Sequence, residues 1–111
     1  MSEASQVTYE EFSKLKLVVA EVKSVQDHPN ADKLYLLTVD NGSEEKQLVA
    51  GIKPYYEKDD LVGRKIVIVD NLAPATLRGE VSNGMLLAAQ DGERVVVLSP
   101  SAHVVAGSKV M

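Results

Sequence analysis

The residues that could do chemistry fall in two polar stretches, "HPNADK" (His28–Lys33) and "LRGEVSNGM" (Leu77–Met85). Lys33 and Arg78 are long cations at loop positions, and an arginine can meet a phosphate with a bidentate fork. Asn30, Ser82 and Asn83 can hydrogen-bond a phosphate, a ribose or a base edge. Met85 opens an apolar strand, where methionine is first of all core filler and only second a soft apolar contact. Asp27, His28 and Asp32 are of types that ligate metals or move protons, yet aspartates among Pro and Asn more simply cap turns. His103 lies far away in sequence, and the patterns "GxSxG", "GxxxxGK[ST]" and "GxGxxG" are all missing. The expectation is a chain without catalytic residues, cofactor or metal.

A run of short strands must position these side chains. Thr8 with Glu11 three residues on is a capping box that predicts a helix over 9–16. Val18, Ala20 and Val22 then alternate with Glu21 and Lys23, and Val25 falls out of phase, so residues 17–26 read as a strand bulged near Ser24. Residues 29–32 cannot be strand. Leu34–Val39 is the second strand, with Tyr35, Leu37 and Val39 on one face, and Asn41-Gly42 turns it back into a third at 47–50. Lys53–Asp60, with Pro54 in its first turn and Gly63 beyond its end, reads as one short helix. "KIVIVD" (65–70), "GMLLAA" (84–89) and "RVVVLS" (94–99) are further strands, and 73–83 is a long loop. Three strands, a short helix and then two or three strands match an all-β, five-stranded OB-fold barrel with a helix between its third and fourth strands, here carrying an N-terminal helix and a C-terminal extension. Lys33 then lies between strands 1 and 2, and Arg78 between strands 4 and 5.

Bulk properties narrow the function classes. With 111 residues and 45% hydrophobic content the chain is one domain, taken as 9–111 behind a flexible tail at 1–8. It has no cysteine, which excludes disulfides and thiol chemistry. Its apolar runs, about five residues long, fall far short of the roughly 20 that cross a bilayer. The polar, acidic start lacks the pattern of a signal peptide, so a cytoplasmic protein without membrane contact is expected. The net charge of −4 opposes nucleic-acid binding in general. Binding follows the potential within a Debye length of ~8–10 Å, however, so a local basic face suffices. Aromatic residues, at 5%, are too few for a stacking platform and favour recognition of a folded RNA's shape.

"HPNADKLYLLTVD", "LVAGIKPYY", "LVGRKIVIVDNLAPATLRG" and "SNGMLLAA" together resemble the tRNA-binding domain at the C-terminus of many methionyl-tRNA synthetases. Similar domains occur in endothelial monocyte-activating polypeptide II and in stand-alone structure-specific tRNA-binding proteins. The likeness runs from about Tyr9 to Val110. It implies non-catalytic binding to the outer corner of the L-shaped tRNA by a homodimer, as a stand-alone auxiliary or beta subunit assisting methionyl-tRNA synthetase. By the same resemblance the tRNA-binding residues are Asn30, Lys33, Arg78, Ser82 and Met85. Lys33 and Arg78 would contact phosphates, Asn30 and Ser82 would hydrogen-bond, and Met85 would make an apolar contact. Residues 73–76 (Ala-Pro-Ala-Thr) stand where related sequences often carry lysines, which predicts more salt-sensitive binding. The competing expectation is a chaperone-like dimer of the same barrel that binds polypeptides.

Overall fold

The computed structural model describes residues 5–111; the first half of the tail expected at 1–8, residues 1–4, lies outside the described residues. Strand β1 (Leu17–Asp27) is the spine of the barrel. Its apolar side chains at Val18, Ala20, Val22 and Val25 are all buried. The change of phase is a bulge: pairing with β2 (Tyr35–Asp40) jumps from Val22↔Val39 to Ser24↔Thr38. One extra residue bends the strand around the core and keeps its apolar side chains inside.

β2 returns antiparallel as β3 (Glu45–Ala50), while the first half of β1 pairs with β4 (Lys65–Val69). A short helix, α2 (Lys58–Leu61), joins β3 to β4 and buries Leu61 against the core. The sheet order is β3-β2-β1-β4-β7, with β7 at Met85–Leu86. β3 and the segment before β7 then close the ring. The Asn83 N–H donates to Gln47 O (2.9 Å), and the Val49 N–H donates to Ser82 Oγ (2.9 Å). The fold is thus the expected all-β, nearly closed five-stranded barrel.

Several elements differ from the sequence expectation. The N-terminal helix α1 is one turn, Tyr9–Phe12, and does not continue to residue 16. Its capping box is present, but none of its residues is buried, so no packing extends it. Pro54 sits in a separate turn closed by the Tyr55 N–H on Ile52 O, and the helix proper starts after Glu57. The stretch 73–83 is not a loop but contains a hairpin, β5 (Ala75–Leu77) and β6 (Glu80–Ser82). "GMLLAA" divides at Leu87, which bonds Val67 on one side and Leu98 on the other. Beyond it, β8 (Ala88–Asp91) and β9 (Arg94–Val97) form their own two-stranded sheet.

The C-terminal extension completes an edge. β2 covers only the second half of β1, and residues 107–110 bond the edge left open by Leu17 and Val19. To reach it they pass against the Asn41-Gly42 turn. A side chain on Gly42 would begin 2.7 Å from Gly107 Cα, so two backbones touch there. Beside this crossing Asp70 is buried and accepts from Asn41 Nδ2 (3.0 Å) and Lys46 Nζ (3.0 Å), with Lys16 Nζ at 3.6 Å. Burial pushes the Asp70 carboxyl up, but the hydrogen bonds from Asn41 and Lys46 and the two lysine charges outweigh it and hold it below the usual carboxylate range. A depressed carboxyl contributes stability that is full above its unfolded value and is lost as pH falls through the folded one. Asp70→Asn is expected to cost roughly 1–3 kcal/mol at neutral pH, because Lys46 loses its counter-charge. Urea unfolding should also show the variant less sensitive to acidification than wild type; equal acid sensitivity would refute this role.

Candidate nucleic-acid interface

The β1–β2 loop leaves the barrel at His28 and returns at Leu34, whose carbonyl accepts from the His28 N–H (3.2 Å). It carries Asn30 and Lys33, both exposed. The β5–β6 hairpin reaches the same end of the molecule. Its two-residue turn is Arg78-Gly79, with φ of +56° and +94°. Both central residues are left-handed, the geometry of a tight hairpin turn that matches strand twist. Asn or Gly is the usual occupant, so an arginine there holds an exposed guanidinium at some backbone cost.

The two loops are joined by hydrogen bonds. Asn30 Nδ2 donates to Arg78 O (3.3 Å). The His28 ring accepts from the Asn30 N–H at Nδ1 (2.9 Å), which leaves Nε2–H to donate to Leu77 O (2.9 Å). Asn30, Lys33 and Arg78 therefore belong to one locked unit.

Ser82 and Met85 lie elsewhere on it. Ser82 is 5% exposed, and its hydroxyl accepts from Val49 N–H and donates to Gly84 O (2.8 Å). It roots the hairpin on the barrel. Met85 is 47% exposed on β7, opposite Val69 of β4, while the next residue, Leu86, packs on the core. Gln47 also ties the hairpin down, its Nε2 donating to Val81 O (2.9 Å) and to the Glu80 carboxylate (3.3 Å).

The charges are sorted. Asp27, which the sequence suggested as a turn cap, instead pairs with Lys53 and Lys58, each at 3.1 Å. Hydrogen bonds from these two lysines lower its carboxyl below the ordinary range. Lys16 and Lys46 serve Asp70, Lys23 pairs with Glu21, and Arg94 with Asp91. Among the described residues, no carboxylate or carbonyl engages the side chain of Lys33 or Arg78. Asp32 precedes Lys33, and Glu80 lies two residues beyond Arg78 and accepts from Gln47. No group of three or more His, Asp and Glu side chains among the described residues could hold a metal ion.

Sequence reasoning missed His28 and Gln47. The sequence offered His28 only as a residue type that ligates metals or moves protons, and not as a bridge between loops, since its partner Leu77 lies 49 residues away. Gln47 sits inside a strand and carries no motif.

A nearly closed barrel with this strand order is of the OB type, a class that binds oligonucleotides or oligosaccharides through loops at one end and the adjoining sheet face. Residues 17–109 match the family model tRNA_bind, a tRNA binding domain. The chain belongs to the tRNA-binding domain family. It is 56% identical over 104 residues to a methionine–tRNA ligase of Thermococcus onnurineus, a match covering 94% of this chain and 14% of the ligase. It is 42% identical over 109 residues to that of Thermotoga maritima, covering 98% of this chain and 17% of the ligase. The chain thus spans less than a fifth of the length of these curated relatives. Among solved structures, a MetRS related protein from Pyrococcus horikoshii superposes with TM-score 0.90 at 31% identity, covering 96% of this chain and 99% of that one. A CsaA chaperone protein from Picrophilus torridus gives 0.88 at 32% identity, covering 96% and 100%.

The strained turn gives a direct expectation. Arg78→Gly should match or exceed wild-type stability by up to about 1 kcal/mol, because glycine accepts the left-handed conformation. Arg78→Ala keeps the strain and should show no such gain. Urea midpoints of the two variants check this; a gain in Ala and not in Gly would exclude turn strain.

Proposed function

We propose that this chain is a non-catalytic module that binds folded tRNA at the outer corner of its L shape. The observation that carries the reading is the pair of unengaged cations, Lys33 and Arg78, held on two mutually bonded loops in a tRNA-binding domain. Lys33 and Arg78 take phosphates, and Asn30 hydrogen-bonds the backbone or a base edge beside them. Ser82 acts through its grip on the hairpin, and Met85 offers an apolar contact on the neighbouring strand. The protein acts in the cytoplasm as an auxiliary or beta subunit of a methionyl-tRNA synthetase and raises the local concentration of tRNA. The likeness to part of methionine–tRNA ligases supports that partner.

The working unit is a homodimer. α1 buries nothing of its own, Tyr9 (84% exposed), Phe12 and Leu15 present apolar surface, and Val105 and Met111 are exposed as well. A two-fold partner would cover this face. A second reading, a chaperone-like dimer binding unfolded polypeptide, draws on the CsaA neighbours and on exposed Leu72, Leu77 and Val81.

Two measurements test these readings. Titration with unfractionated tRNA, an unstructured RNA of equal length and an unfolded polypeptide should show preference for tRNA, weakening as salt rises. Lys33→Ala should lower the slope of log affinity against log salt by about 1 and leave thermal unfolding nearly unchanged. Failure to bind tRNA at ~50 mM salt would refute the tRNA reading, and selective polypeptide binding would favour the second one. For the dimer, Phe12→Glu should shift sedimentation from dimer to monomer; a wild-type monomer at tens of micromolar would end that part of the proposal.

A further inference from the structure

We propose that His28 is a positioning residue of the RNA face, a neutral imidazole that fixes the spacing between Lys33 and Arg78. This inference rests on the tRNA reading given above. His28 is 4% exposed, and both ring nitrogens are used. Nδ1 accepts from the Asn30 N–H and Nε2–H donates to Leu77 O, each at 2.9 Å. The first bond shapes the loop that bears Lys33. The second holds the residue that precedes Arg78. One rigid ring therefore spans the two strands of chain that carry the cations.

The physical consequence is preorganisation. Cations on two independent loops lose conformational freedom when both must meet phosphates of one rigid RNA. Loops already locked at the right separation lose less, and affinity gains accordingly. The Asn30 amide bond to Arg78 O is longer, 3.3 Å, and exposed. It cannot hold the spacing as a buried ring bonded at both ends does. His28 contributes no charge in this tautomer, so its effect is geometric.

Two substitutions separate the ring's bonds. His28→Asn places an oxygen near Nδ1, where it can accept from the Asn30 N–H, but is too short to reach Leu77 O. His28→Gln places an amide N–H near Nε2, where it can still bridge to Leu77 O. The expected result is that His28→Asn weakens binding of unfractionated tRNA roughly three- to tenfold, the worth of one hydrogen bond. His28→Gln should retain most of the affinity. Backbone ¹⁵N relaxation and amide exchange on the free protein should show residues 30–33 and 78–79 more mobile in His28→Asn, and close to wild type in His28→Gln.

Equal tRNA affinity of His28→Asn and wild type would overturn the proposal, as would equal losses in both variants. Should wild type itself not bind tRNA, the functional reading falls, and the free-protein mobility still decides on the spacer. Loops that stay as ordered in His28→Asn as in wild type would then refute it. Should His28→Asn fail to fold, a His28→Gln protein with wild-type loop order but lost tRNA binding would refute it equally.

Discussion

Closure of the sheet between β3 and the segment leading into β7 is the constraint on which the rest of the molecule depends. Five short strands cannot leave a long edge open without inviting other chains to pair with it. No continuous strand pairing seals this gap. One backbone bond, Asn83 to Gln47, and two side chains, Ser82 and Gln47, span it. The same residues form the root of the β5–β6 hairpin. Barrel closure and the placement of Arg78 are therefore one event, and damage to the seam displaces the cation at the hairpin tip.

The second governing feature is the disposal of negative charge. A chain with a net charge of −4 would repel a polyanion if its carboxylates were spread evenly. Here the two carboxylates bonded most fully, Asp27 and Asp70, are each held by two lysines. Those lysines are spent on structure. Lys33 and Arg78 project from loops whose own bonds are made by neutral groups, an imidazole, an amide and backbone. Two cations at that end are thus left without an ion pair among the described residues, beside the carboxylates of Asp32 and Glu80. Two such cations could neutralise only a small number of phosphates on any nucleic acid.

How much of this was legible in the sequence follows from the range of each interaction. The bulge in β1 was readable because Val25 breaks an alternation set by Val18, Ala20 and Val22, all within one strand. The Asn41-Gly42 turn was readable because that dipeptide has few other uses. The β5–β6 hairpin was not, since its strands are three residues each and its turn puts an arginine where Asn or Gly is usual. Helix α1 was drawn too long because the apolar spacing of Tyr9, Phe12 and Leu15 implies a buried face, and none of the three is buried. The candidate site divides the same way. Asn30, Lys33 and Arg78 could be named from residue type and resemblance. Ser82 was named for its hydroxyl, and only the folded seam reveals that the hydroxyl is engaged inside the protein. His28 needed a contact 49 residues away and left no local trace.

The docking of residues 107–110 on the first half of β1 bears on the order in which the barrel can be completed. Val18 meets Lys109 about 90 residues later, so this edge of β1 stays open until residues 107–110 have been made. At ~5–20 residues per second the wait is on the order of 5–20 s. During that interval an apolar strand edge is available to other chains, and residues 107–110 are its cover. Completion of this edge therefore waits for residues 107–110, and a chain stopped before residue 107 would leave the first half of β1 open to pairing with other chains.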